Sequence, residues 1–95
     1  MYVGATRIDF EVVDSMTLKD KRQVVRSLLD RIRVEFHLSA AEVDRLDDRR
    51  LATIAIACVG NEHGFVETVL DRVVTFVESD PRVIVIVHES EVWSQ

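Results

Sequence analysis

The sequence predicts an α+β fold of the ferredoxin-like type, a βαββαβ sandwich with two helices on one face of a four-stranded antiparallel sheet. Segments with strand periodicity and segments with helical periodicity follow one another in the order β-α-β-β-α-β along 95 residues. This order divides into two β-α-β halves, and right-handed crossovers in both halves produce the sandwich. At this length we expect a single domain, residues 1–95, with one core and little room for a deep enclosed site.

The first strand and the first helix carry the clearest periodicity. A strand is predicted at residues 2–13, because apolar and charged residues alternate from Thr6 onward. A helix is predicted at residues 18–35, where apolar residues recur at helical spacing. Thr17 precedes this helix as its N-cap, with Asp20 as the reciprocal acid of a capping box.

The remaining elements follow from the same reasoning. Strands are predicted at residues 38–45, 51–59 and 83–93, with a polar LDDRR turn between the first two. A second helix lies before the last strand, where Asn61 is expected to cap it and Asp80 and Pro81 to end it.

The sheet face away from the helices is predicted to carry small and apolar side chains. Neither possible set of outward residues on the central strands includes an aromatic side chain, which argues against the base-stacking platform of this fold. Apolar surface usually meets a partner, so we expect a homodimer or larger oligomer, and the alternative is a solvated sheet face. The residues assigned to this oligomer face are Ala5, Ala55, Ala57, Val85 and Val87.

A basic stripe runs along the first helix, although the chain has a formal net charge of −5. Its members, which fall within about 60° of one another at ~100° per residue, are Lys19, Arg22, Arg26 and Arg33. Together with Lys21, they are candidate contacts for a phosphate backbone or an acidic partner. The alternative is a solvated row that pairs with the acids of the second helix, which are Glu67, Asp71 and Glu78.

No residue pattern indicates catalysis, a metal site or a cofactor. The three histidines lack metal-ligand spacing. The single cysteine, Cys58, lies in an apolar strand and is more typical of a small buried hydrophobe than of a nucleophile. A lone cysteine cannot form an internal disulfide, which fits a reducing, cytoplasmic setting. Apolar runs fall far short of the ~20 residues that cross a bilayer, so we expect no membrane contact.

Nearly the whole chain resembles the YlxP-like family of small bacterial proteins. The matching segments are MYVGATRID, TLKDKRQVVRSLLDRIRVEF, SAAEVD, VGNEH and VLDRVVTFVES, and the most specific are the SLKEKR-like motif at residues 17–22 and the AEVD at residues 41–44. The resemblance implies a ferredoxin-like fold and an association with translation or ribosome maturation, with no established catalytic activity. Relatives often have an aromatic residue, typically Trp, in the loop before the third strand. This chain has LDDRRL at residues 46–51 instead and so departs from the family pattern in that loop.

These observations favour a non-catalytic module that binds ribosomal RNA or a translation component through the basic edge of the first helix. The alternative is a structural or interaction protein that acts through homo-oligomerisation of the open sheet face. An enzyme has only the general capacity of the fold in its favour, so we expect no catalytic activity.

Overall fold

Two helices pack on one side of a four-stranded antiparallel sheet in the computed structural model, which describes residues 1–95. The elements are β1 (Tyr2–Val12), α1 (Leu18–Phe36), β2 (Ser39–Asp44), β3 (Leu51–Gly60), α2 (His63–Glu78) and β4 (Val83–Ser94). The strand order is β2-β3-β1-β4, which confirms the predicted ferredoxin-like fold. Strand ends and the ends of α1 lie within one residue of their predicted positions.

Strand β1 shows how the alternating pattern fixes the two faces of the sheet. Ile8, Phe10 and Val12 are almost completely buried under the helices, and the charged residues between them lie on the open face. Ile8 is opposite Ile54 of β3 in the register. Burying each large apolar side chain contributes roughly 1.5–3 kcal/mol, and a slip by one residue would expose them all, so the register is strongly specified.

The two helix starts differ. At α1, the Thr17 hydroxyl accepts from the Asp20 N–H and the Asp20 carboxylate accepts from the Thr17 N–H, which confirms the capping box. Backbone N–H donors from Met16 and Thr17 hold the pKa of Asp20 below its usual value. The predicted cap at Asn61 is wrong, because α2 has Glu62 at its N-cap position with no side-chain hydrogen bond.

The helices divide the sheet between them. Helix α1 packs over β2 and β3, whereas α2 packs over β4, β1 and β3. They meet where the rings of Phe36 and Phe76 pack edge to face, with centroids 5.5 Å apart and the Arg31 guanidinium over Phe76. Neither helix has the length and apolar character that crossing a membrane requires.

A β-bulge in β4 changes which residues reach the open face. Asp9 is opposite Val87 and Phe10 is opposite Val85, so Ile86 is an extra residue between them. The bulge turns Val85 toward the helices, where it packs against the main core. Assigning Val85 to the oligomer face was therefore wrong, whereas Val87, which was also assigned to it, lies on that side of β4 together with Ile84.

Candidate anion-binding groove

A surface groove of about 330 Å³ runs between α1 and the edge strand β2. Its lining residues are Arg22, Val25, Arg26, Leu29, Arg33 and Glu42. The first two arginines are one helical turn apart and the third lies two turns further, on the flank of α1 that faces away from α2. We call this feature the arginine groove.

The three arginines differ in their ion pairs and hydrogen bonds with other protein groups. Arg22 and Arg26 are exposed and form no ion pair or hydrogen bond with any protein group. Arg33 donates to Asp30 Oδ1 at 3.2 Å and to the carbonyl of Ala40 in β2. Two guanidinium groups are therefore free to bind an external anion, and the third is partly engaged.

The other two predicted contacts lie outside this groove. Lys19 is exposed, one turn before Arg22, and does not line it. Lys21 is fully buried, so its assignment as a phosphate contact is wrong. The signal for this burial was its position four residues before Val25, which places it within the apolar stripe of α1.

The ammonium group of Lys21 instead joins α1 to the segment between β2 and β3. Its Nζ donates to the carbonyls of Arg45 at 2.7 Å and Leu51 at 3.2 Å. The same nitrogen lies 3.0 Å from Glu42 Oε2 in β2, an ion pair without hydrogen-bond geometry. Lys21 therefore satisfies backbone carbonyls at the end of the groove and fixes the position of the Glu42 carboxylate.

Glu42 is the groove residue that sequence reasoning missed. Its side chain is 15% exposed and Oε2 is buried against Lys21. No ion pair joins it to Arg22, Arg26 or Arg33. The groove thus combines free guanidinium groups with one carboxylate whose charge a buried ammonium offsets.

The acidic residues of α2 do not neutralise the arginine groove. They lie on the flank of α2 away from α1, and none of Glu67, Asp71 and Glu78 forms an ion pair. Arg31 is the residue of α1 that forms an ion pair with the second half of the chain, and its Nη1 lies 3.4 Å from Asp80 Oδ2. The expected pairing between the two charged rows is therefore absent from the structure.

The open face of the sheet mixes small apolar residues with charges. Ala5 lies opposite Ala57 on one side and Glu91 on the other, and Ala55 lies opposite Arg7. The Arg7 guanidinium in turn contacts carboxylates of β1 and β2. This part of the predicted oligomer face is a charged and hydrogen-bonded surface with alanines between the charges.

One end of the open face is more apolar. Val3 lies between Val59, which is 62% exposed, and Trp93, which is 38% exposed. Trp93 is an aromatic residue on this face, but it stands on the edge strand β4 and not on the central strands. This row is one apolar part of the open face, and Ile84 and Val87 of β4, which are 56% and 45% exposed, form another.

Cys58 is buried under α2, and burial raises the pKa of its thiol, which disfavours the nucleophilic thiolate. No three His, Cys, Asp or Glu side chains come together in a group that could hold a metal ion.

Two comparisons relate the chain to known sequences. A profile of the family described as "Protein of unknown function (DUF503)" matches residues 3–90. The "Uncharacterized protein YlxP" of Bacillus subtilis (strain 168) is 28% identical over 81 residues, which cover 85% of this chain and 88% of the relative. The family match includes the segments that form the arginine groove, since it extends from β1 into β4.

Proposed function

The chain belongs to the DUF503 family of proteins of unknown function, which confirms the YlxP-like resemblance, and we propose that it is a non-catalytic module that binds RNA. The observation that carries the proposal is the pair of exposed, unpaired arginines, Arg22 and Arg26, in a groove of a chain whose net charge is −5. The chain has 17 acidic residues against 12 Lys and Arg, yet neither of these two arginines forms an ion pair. Their segregation on one edge supports a ligand that is itself anionic.

The number of cations sets the strength of the proposed binding. Lys19 adds a fourth positive charge beside the three arginines of the groove. Three or four phosphate contacts give a slope of log K against log salt of about −2 to −4, which is weak and strongly salt-dependent binding. Such a module would need other contacts on its target, and we propose that ribosomal RNA or a translation component in the cytoplasm supplies them.

A matched pair of substitutions tests the RNA-binding edge. Arg26→Ala removes a groove cation, and Arg72→Ala removes an exposed, unpaired arginine of α2 with the same change in net charge. In fluorescence anisotropy with ribosomal RNA fragments, we expect Arg26→Ala to weaken binding and to reduce the salt slope by about 1. Arg72→Ala removes no phosphate contact, so it should leave the salt slope unchanged and, at ~0.15 M salt, the affinity as well. Equal losses for the two variants would show that binding follows net charge and not the groove.

A pull-down tests whether the chain binds ribosomal RNA in a cell extract. We expect pull-downs from the native cytoplasm to recover ribosomal components, and ribonuclease treatment to release them. Recovery that is insensitive to ribonuclease would point to a protein partner and would contradict RNA binding as the main contact.

A second candidate function is homo-oligomerisation through the open face, which the apolar row of Val3, Val59 and Trp93 favours. Its test is the sedimentation of Ala57→Glu, because Ala57 is the exposed residue of β3 next to that row. Val34→Glu is the control, since Val34 is exposed on the outer side of α1. Oligomers that persist with Ala57→Glu, or a wild-type chain that sediments as a monomer at tens of micromolar, would exclude this surface.

A further inference from the structure

Glu42 is out of place in a groove that attracts anions. A carboxylate beside phosphate groups repels them, and a site that needed only positive charge would have an uncharged residue at this position. Lys21 compensates the charge of Glu42 from behind, so the acid is kept in place at the cost of a buried ammonium group. This arrangement raises the question of which donor the carboxylate faces when a ligand is bound.

The two oxygens of Glu42 have different environments. Oε2 is enclosed and lies 3.0 Å from Lys21 Nζ. Oε1 has no hydrogen-bond partner in the protein, and the carboxylate lines the groove. The ion pair with Lys21 therefore engages Oε2 and leaves Oε1 as the oxygen of Glu42 that is free to accept from a ligand in the groove.

We infer that Glu42 accepts a hydrogen bond from a ribose 2′-hydroxyl, so that the groove selects RNA over DNA. The inference rests on the proposed function, because it assumes that the guanidinium groups of Arg22 and Arg26 bind the phosphates of the same strand. A ribose-phosphate backbone carries only one kind of hydrogen-bond donor, the 2′-hydroxyl, and it lies between successive phosphates. The 2′-hydroxyl is also the group by which proteins distinguish RNA from DNA.

The expected effect follows from the strength of such a bond. A hydrogen bond to a charged acceptor is stronger than a neutral one, and its loss lowers affinity roughly 10-fold. Without the donor, the carboxylate would in addition stand unpaired beside phosphates. We therefore expect RNA to bind about 10-fold more tightly than an otherwise identical ligand without the 2′-hydroxyl.

The first test uses the unmodified protein. One hairpin sequence is prepared as RNA, as 2′-O-methyl RNA and as DNA, and dissociation constants are measured at low salt. The 2′-O-methyl hairpin keeps the RNA helix form but has no hydroxyl donor, and we expect it to bind about as weakly as DNA. RNA and 2′-O-methyl RNA of equal affinity would overturn the inference and leave the proposed function standing, whereas no binding of any hairpin would overturn the proposed function itself.

The second test uses Glu42→Gln. The Lys21 ammonium attracts the amide oxygen, so the amide NH₂ faces the groove and the open acceptor is lost. We expect this variant to lose the preference for RNA while it binds 2′-O-methyl RNA and DNA at least as well as before. The control is Glu67→Gln, an exposed and unpaired acid of α2, which should change all three affinities by the same factor. If Glu42 had a purely structural role, Glu42→Gln would also change all three affinities by the same factor. That result for Glu42→Gln would overturn the inference.

Discussion

The Lys21 side chain is completely buried, and its ammonium group is held by groups of β2, β3 and the segment between them. It donates to the carbonyls of Arg45 and Leu51 and pairs with Glu42, so its removal would take a donor from both carbonyls and leave the buried Glu42 oxygen without its counter-charge. Breaking a buried ion pair from one side costs about 3–5 kcal/mol. This residue thus joins α1 to β2 and β3 at the end of the arginine groove, and it contributes to ligand binding only through the groups it positions.

We expect Lys21→Met to destabilise the fold by about 3 kcal/mol or more, because the methionine fills the space but donates no hydrogen bond. Lys19→Met is the control, since Lys19 is exposed on the same helix and unpaired, and its effect should stay within about 0.5 kcal/mol. Denaturant unfolding of both variants measures the difference. Equal stabilities for the two variants would mean that the Lys21 ammonium does not stabilise the native state.

Asp80 anchors the turn between α2 and β4. Its carboxylate accepts from the backbone N–H, Nε and Nη2 of Arg82 at 2.8–3.0 Å and lies 3.4 Å from Arg31 Nη1. The side-chain hydrogen bond from Arg82 is the main cause that lowers the pKa of Asp80 below its usual value. The same contact raises the pKa of the Arg82 guanidinium.

Because its pKa is lowered, the Asp80 carboxylate makes the free energy of unfolding depend on pH. Its contribution is complete above the unfolded-state pKa near 4 and is lost as the pH falls through the lower, folded-state pKa. We expect Asp80→Asn to unfold more easily by roughly 1–3 kcal/mol at pH 7, and the gap to the unmodified protein to narrow below about pH 4. Urea unfolding at both pH values measures this, with the exposed Asp71→Asn as the control. A gap that stayed constant down to about pH 3 would contradict the role of the ionised carboxylate.

At the scale of the elements, Gly4 allows α2 to approach β1 closely. A Cβ at Gly4 would lie 2.5 Å from Val66 Cγ1 and 2.8 Å from Leu70 Cδ1, both in the buried face of α2. A Cβ at Gly64, in the first turn of the same helix, would have no neighbouring atom within 4 Å. Gly4 therefore leaves the space that the contact with α2 needs, whereas Gly64 occupies a position where a side chain would fit.

We expect Gly4→Ala to lower the stability by about 1–3 kcal/mol, because the helix has to shift to admit the methyl group. Gly64→Ala should raise it by about 0.4–1 kcal/mol by restricting the unfolded chain. Thermal unfolding resolves both, since 1 kcal/mol corresponds to a shift of roughly 4–8 °C in a domain of this size. Shifts of the same sign would show that the approach of α2 to β1 is not limited by Gly4.

The elements also show what the sequence could predict. Alternation in β1 predicted its buried face, and helical spacing predicted that Arg22, Arg26 and Arg33 share one flank. In β4 the apolar run VIVIV offers no alternation, so neither the bulge at Ile86 nor the inward turn of Val85 could be read from it. Glu42 escaped notice because only the tertiary pairing places β2 beside α1.

Charge is distributed unevenly across the whole molecule. The arginine groove lies at the β2 edge, and the acidic flank of α2 lies on the side of β4, at the other end of the strand order. The two shorter dimensions of the molecule are 21 and 18 Å. Because the Debye length is ~8 Å at physiological salt, the acidic flank exerts little field on the groove under those conditions. The net charge of −5 therefore does not oppose binding at the basic edge as strongly as the total suggests.

This separation predicts a salt-dependent effect of the acidic flank. Replacing Glu67 with Gln and Asp71 with Asn should leave the affinity for RNA unchanged at ~0.15 M salt. At ~0.01 M salt the Debye length rises to ~30 Å, which exceeds the 21 Å dimension, so the same double variant should bind RNA more tightly than the unmodified protein. Anisotropy titrations at the two salt concentrations measure both effects, with Arg26→Ala as the variant that weakens binding in each. An equal gain at both salt concentrations would mean that RNA lies directly against α2, because only charges in contact with the ligand escape screening. The proposed orientation of the molecule on RNA would then be wrong.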